Sequence, residues 1–84
     1  MANNRDPLRG RREAIRITCG EIDFLKSASK RDFVNHVGKE EYERLSNYGK
    51  RSYAVVRAIA LLRMHNSLDF QLGNLRYYES FLAS

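Results

Sequence analysis

The segment from Ser52 to Met64 is apolar on almost every side of a helix, and no other segment constrains the fold as strongly. It reads S-Y-A-V-V-R-A-I-A-L-L-R-M and is interrupted only by Arg57 and Arg63. A helix on the surface of a small protein usually carries one apolar stripe and one polar face. We therefore expect a central helix over about residues 52–65, wrapped by neighbouring helices, which leaves function to the ends of the chain.

Short helices joined by tight turns are predicted for the rest of the chain. Ser29 followed by Asp32 has the form of a helix N-cap, and Gly38 and Gly49 are typical helix terminators. The pair Asn66–Ser67 predicts a break before the last helix. The expected helices cover residues 19–28, 30–37, 39–48, about 52–65 and 68–82. The predicted fold class is therefore all-α, a compact bundle of four to five short helices around the central apolar helix.

Residues 14–19 carry two competing patterns. Ile15, Ile17 and Cys19 alternate with polar residues, which is the period of a strand, whereas Leu8 and Ile15 are a heptad apart, which favours a helix. We favour the helix because the chain offers no second strand to pair with this one. A short N-terminal strand at 14–19 is the alternative.

Length and composition limit the class of protein. The chain has 84 residues, so we expect a single domain over 1–84 with a flexible basic N-terminal arm at about 1–12. Cys19 is the only cysteine, which is typical of a reducing compartment. Residues 1–20 are too polar for a signal peptide, and no apolar run is long enough to span a membrane. The sequence predicts a cytoplasmic protein without a membrane partner, and leaves open whether it forms a homodimer.

Positive charge is concentrated towards both ends of the chain. The net formal charge is +5, and residues 1–20 contain five arginines against two acidic residues. Arginine suits bidentate contacts to phosphate, and a basic arm on a helical domain is a common device for binding nucleic acid. We predict a small non-enzymatic binding protein that contacts nucleic acid or a nucleoprotein complex in a regulatory or accessory role. The sequence leaves open whether the nucleic acid is DNA or RNA. The predicted contacts are Arg9, Arg11, Arg12, Arg16, Lys50 and Arg51.

The strand alternative carries a family resemblance. A strand over 14–19 would place Arg16 and Thr18 on one face, and two such strands could pair across a dimer into a basic ribbon. This N-terminal strand, together with Gly49-Lys-Arg-Ser52 leading into an apolar helix, loosely resembles the ribbon-helix-helix regulators. The resemblance implies a dimer that binds DNA through its paired strands.

Aromatic residues near the C-terminus support an alternative function. Tyr77 and Tyr78 are neighbours and therefore point about 100° apart on a helix, so they cannot both face one core contact. Phe81 follows close to the end of the chain. Tyrosine and arginine are enriched at protein–protein interfaces. The alternative is a protein–protein adaptor or inhibitor that docks on another protein through Tyr77, Tyr78 and Phe81.

Catalytic chemistry has little support in the sequence. The chain has two histidines and one cysteine without metal-ligand spacing, and no cofactor or nucleotide-binding motif, so we predict neither a metal nor a cofactor nor a catalytic residue. One short pattern, Arg31-Asp-Phe-Val-Asn-His36, resembles the motif of HEPN-type ribonucleases. The resemblance implies a paired helical domain in which Arg31 holds a phosphate and His36 moves a proton. An RNA-cleaving enzyme is therefore a minor alternative.

Overall fold

The computed structural model describes residues 6–83, and within this range the chain forms four α-helices and no strand. The helices are α1 (Arg9–Ser27), α2 (Lys30–Val37), α3 (Lys39–Leu45) and α4 (Tyr53–Ala83). The all-α prediction is confirmed. Residues 14–19 lie inside α1, so the strand alternative is wrong, and the ribbon-helix-helix resemblance loses its strand.

The long helices α1 and α4 pack side by side in opposite directions. At one end the Tyr53 hydroxyl donates a hydrogen bond to the carbonyl oxygen of Ala28, just after α1. At the other end the guanidinium of Arg12 lies 3.7 Å from the carboxylate of Glu79. These contacts join the start of each helix to the far part of the other. The result is an elongated antiparallel hairpin with extents of 51 × 24 × 20 Å.

The hydrophobic core lies at one end of this hairpin, where α2 and α3 cover it. Phe33 of α2 and Val56 of α4 are fully buried. The ring of Phe33 meets Tyr42 and Tyr53 edge-on, at centroid distances of 5.9 and 5.6 Å. The buried members of this cluster are Leu25, Ala28, Phe33, Leu45, Val56 and Ala60. Packing of aromatic edges around one phenylalanine fixes how α2 and α3 sit on the two long helices.

The last two predicted helices are one helix in the structure, and α4 runs through Asn66–Ser67 without a break. The prediction of a break is wrong because apolar residues continue through it at helical spacing. Ala60, Met64 and Leu68 are each four residues apart, and Leu75 follows seven residues later. These positions keep facing α1, and a continuous apolar stripe outweighs the weak helix preference of an Asn-Ser pair.

Residues 52–65 are not wrapped on all sides as expected. Val56 and Ala60 are the buried residues of α4, whereas Leu62 is 62% exposed and Val55 is also exposed. The chain has only three other helices among residues 6–83, and they cover one side of α4. The four helices among residues 6–83 are consistent with a helical bundle, but the arrangement of short helices around a central one is not confirmed, because α4 is a long helix packed on one side.

Local signals around α2 are confirmed, whereas α3 ends at Leu45 and not at the expected residue 48. The Ser29 hydroxyl accepts a hydrogen bond from the backbone N–H of Asp32 at 3.2 Å, which caps α2. Gly38 ends α2 at a φ of 94°, and Gly49 follows α3 at a φ of 86°. Positive φ angles of this kind suit glycine because it has no Cβ. These two turns fold α2 and α3 back onto the end of the hairpin.

Phe33→Ala should lower the free energy of unfolding by about 3–5 kcal/mol, because it leaves a cavity at the centre of the core. Leu62→Ala is the matched control and should change the free energy of unfolding by less than about 0.5 kcal/mol, since Leu62 already faces solvent. Urea denaturation followed by circular dichroism, at one protein concentration, measures both. Equal losses of stability would contradict the position of the core.

Candidate interaction surface

The arginines predicted to bind nucleic acid lie mostly on the outer side of α1. Residues 9–12 form its first turn, and residues 1–5 of the expected arm lie outside the described residues. Arg9, Arg12 and Arg16 are three and four residues apart and therefore share one face of the helix. Arg12 pairs with Asp6 and reaches across to Glu79 of α4, and Arg16 pairs with Glu13, so part of this positive charge is neutralised.

Arg11 points towards α4 and brings the two predicted surfaces together. Its guanidinium lies over the ring of Tyr78, 4.1 Å from the ring centroid. Tyr77 meets the rings of Tyr78 and Phe81 edge-on, at 5.5 and 5.0 Å between centroids. The antiparallel hairpin thus places a residue of the predicted basic segment beside the predicted protein-interface residues. Neither Arg9 nor Arg11 has a carboxylate within 4.0 Å among residues 6–83.

Lys50 and Arg51 lie in the turn between α3 and α4, at the opposite end of the hairpin from the start of α1. Arg51 donates a hydrogen bond to the carbonyl oxygen of Leu45 at 3.3 Å, which holds it close to this turn. The structure therefore does not bring these two residues together with the arginines of α1. The six predicted nucleic-acid contacts form two separate groups at the two ends of the molecule.

Phe70 belongs to the aromatic surface, although the sequence analysis did not single it out. Its side chain is 71% exposed, compared with 58% for Tyr77 and 61% for Phe81. Phe70, Tyr77 and Phe81 are seven and four residues apart, so they form one row along α4. This heptad spacing lies within the predicted helix 68–82 and is a visible signal for Phe70 in the sequence itself.

A groove runs between α1 and α4 beside this row. It has a volume of about 310 Å³ and is lined by Arg11, Ala14, Ser67, Phe70, Gln71 and Asn74. The small side chains of Ala14 and Ser67 leave the groove open between larger neighbours. The distal hairpin is the part of α1 and α4 that α2 and α3 do not cover. We call the side of it that carries this groove the open face; its members are Arg11, Ile17, Phe70, Asn74, Tyr77 and Phe81.

The open face lies on the same side of the hairpin as α2, which covers this side only at the end that holds the core. Ile17 and Phe24 are one heptad apart and therefore point to the same side of α1. The ring of Phe24 contacts His36 of α2 at 5.0 Å between centroids, whereas Ile17 is exposed. The helices α2 and α3 thus cover one part of this side and leave the distal part bare, which gives the molecule an L-shaped outline.

The HEPN-like pattern does not form a compact site in this chain. Arg31 and His36 are five residues apart on α2, so their side chains leave the helix about 140° apart. Arg31 lies near Asp32, and His36 forms a hydrogen bond with Glu21 of α1 at 3.2 Å. His36 therefore helps to join α2 to α1, and it is not positioned beside the arginine of its own motif.

Residues 6–83 contain no cluster of three or more His, Cys, Asp or Glu side chains that could hold a metal ion. Over the same range, no helix combines the length and the apolarity that crossing a membrane requires. The chain gave no match when compared with known protein families, curated proteins and solved structures.

The pKa of Glu13 lies below its ordinary value because Arg16 donates hydrogen bonds to its carboxylate, with a further contribution from Arg9. A lowered carboxyl pKa means that this contact is present above the ordinary pKa and is lost as the pH falls through the pKa of Glu13. NMR titration should show Arg16→Gln raising the pKa of Glu13. Arg44→Gln, at the other end of the molecule, should leave it unchanged. A titration of Glu13 that is insensitive to Arg16→Gln would contradict the pairing.

Proposed function

We propose that this chain is a non-enzymatic protein-docking module and that the open face is its docking surface. The observation that carries the proposal is the exposed aromatic row of Phe70, Tyr77 and Phe81 beside Arg11. Single exposed apolar residues are normal on a protein surface. A row of three aromatic side chains along one helix, next to a groove, is what an interaction site presents.

The chemistry of the row favours a protein as the partner. Aromatic residues and arginine are enriched at interfaces, and tyrosine and arginine dominate the residues that carry most of the binding energy. Covering an exposed phenylalanine yields about 1.5–3 kcal/mol, so the row offers a substantial gain to a partner of matching shape.

The rings are also ordered before a partner arrives. Tyr77 holds edge-on contacts with both Tyr78 and Phe81, and Arg11 is held over Tyr78. Side chains that are already fixed lose less rotamer freedom when they bind, which leaves more of the contact energy for affinity. The open face is therefore a preorganised surface.

A photo-crosslinking amino acid at position 81 tests the docking function directly. Irradiation in cells or in lysate should give protein adducts from position 81, because a partner covers this residue. The matched control carries the same amino acid at Tyr48, which is 81% exposed but lies in the turn after α3. Equal or absent adducts at the two positions would contradict the docking function.

A second candidate function is nucleic-acid binding through the outer side of α1. Arg9, Arg12 and Arg16 form an exposed row there, and the ion pairs of Arg12 and Arg16 are solvent-exposed. Exposed pairs of this kind contribute about 0–1 kcal/mol, so phosphate groups could displace their carboxylates. The net charge of +5 supports such binding, which would be weakly sequence-specific and strongly salt-dependent.

Binding to a generic duplex at about 50 mM and about 200 mM salt tests this candidate, since phosphate contacts weaken steeply over that range. Replacing Arg9, Arg12 and Arg16 with glutamine should abolish the binding. The control replaces Arg31, Arg44 and Arg76 with glutamine and removes the same charge elsewhere. No binding at the lower salt concentration, or equal losses in the two triple variants, would exclude a role for the row.

A further inference from the structure

We propose that the partner at the open face is a second copy of this chain, and that the two copies form an antiparallel, two-fold symmetric dimer. This inference rests on the proposed docking function and names its partner. It follows from the shape of the molecule, from the area of the open face and from the charges at its two ends.

The L-shaped outline is the first argument. The helices α2 and α3 form a step on one side of the hairpin, and the open face extends from this step to the tip of the hairpin. Two L-shaped molecules related by a two-fold axis fit together with the tip of each against the step of the other. A two-fold interface uses the same surface on both copies, as this arrangement requires.

The chemistry of the step is the second argument. A small groove of about 150 Å³ lies in the inner corner, where α2 and α3 meet the hairpin, and its polar members are Glu21, His36, Glu41 and Arg63. Its walls are otherwise mainly apolar, with Val37 and Met64 among them. The tip that would enter it carries Arg11 and Phe81. In the dimer, Arg11 therefore lies opposite two carboxylates. Phe81 lies opposite an apolar wall and Arg63, whose guanidinium can form a cation–π contact with the ring.

The register places aromatic residues at the centre of this interface. If Phe81 of one copy lies level with Met64 of the other, the two-fold axis crosses α4 between Leu72 and Gly73. Phe70 then lies within one turn of the axis, so the two Phe70 side chains meet near the middle. Buried aromatic residues at the centre, with charged pairs at the edge, are the usual anatomy of a stable interface.

The area is sufficient for a dimer. The stretch of α4 from Met64 to Phe81 is about 26 Å long at 1.5 Å per residue. Two helices side by side are about 20–24 Å wide with their side chains, so the open face covers about 500–600 Å² before the relief of its side chains is counted. A standard-size interface buries about 800 Å² on each partner. The open face is of this order.

Sedimentation equilibrium of the purified full chain tests the dimer, over about 1 µM to about 1 mM, the range of dissociation constants of ordinary reversible complexes. The mass should rise from 9.8 kDa towards twice that value as the concentration increases. Phe70→Ala should raise the dissociation constant about tenfold or more. His65→Ala, at an exposed position about 140° from Phe70 around α4, should leave it unchanged. A chain that stays at 9.8 kDa over the whole range would overturn the proposal.

Charge exchange tests the antiparallel arrangement. Arg11→Glu and Glu41→Arg should each weaken self-association about tenfold or more, because like charges then face each other twice in the dimer. Mixing these two variants should restore dimerisation, since both contacts in the mixed dimer then join opposite charges. Arg9→Glu and Glu40→Arg change the same charges at neighbouring positions, and we expect no such rescue from their mixture. A mixture of Arg11→Glu with Glu41→Arg that stays monomeric, while each variant keeps its helix content, would overturn the arrangement.

The outcomes also separate this inference from the docking function. Adducts at position 81 with a different protein, from a chain that is monomeric when purified, would overturn the dimer and leave the docking function standing. Adducts of twice the mass of the chain would support both.

Discussion

The antiparallel pairing of α1 with α4 is the constraint on which the other features of this protein depend. The two helices differ in length, with 19 residues in α1 and 31 in α4, and α2 and α3 fold over only one end of the pair. The core around Phe33 and Val56 therefore holds one end of the molecule together, while the other end is a bare two-helix hairpin. The same pairing brings the start of α1 against the last turns of α4. This places Arg11 on Tyr78 and creates the open face.

Local signals in the sequence predicted the local structure. The cap at Ser29 and the glycines 38 and 49 gave the turns around α2 and α3, because each of these residues acts through its own backbone and immediate neighbours. The all-α class followed from the same kind of evidence. The helical choice for residues 14–19 was also confirmed, and its reason was the lack of a strand partner.

Long-range features could not be predicted in the same way. The apparent break at Asn66–Ser67 disappears because contacts with α1 extend along the whole apolar stripe of α4, and a local propensity does not report those contacts. The expectation that residues 52–65 are buried on all sides is wrong because the three other helices among residues 6–83 are too few to surround them. The basic and aromatic segments lie at the two ends of the sequence and therefore predict rival sites. Only the antiparallel fold shows that Arg11 and Tyr78 belong to one surface, whereas Lys50 and Arg51 lie at the other end.

The central claim is that the bare side of the distal hairpin is covered by another copy of the chain. Amide hydrogen exchange at low and high protein concentration tests it most directly, because a dimer protects only the helix segment that it covers. We expect protection of residues 67–82 to rise with concentration, while residues 53–60, which lie beside the core, change little. Protection that is the same at both concentrations throughout α4 would contradict the claim.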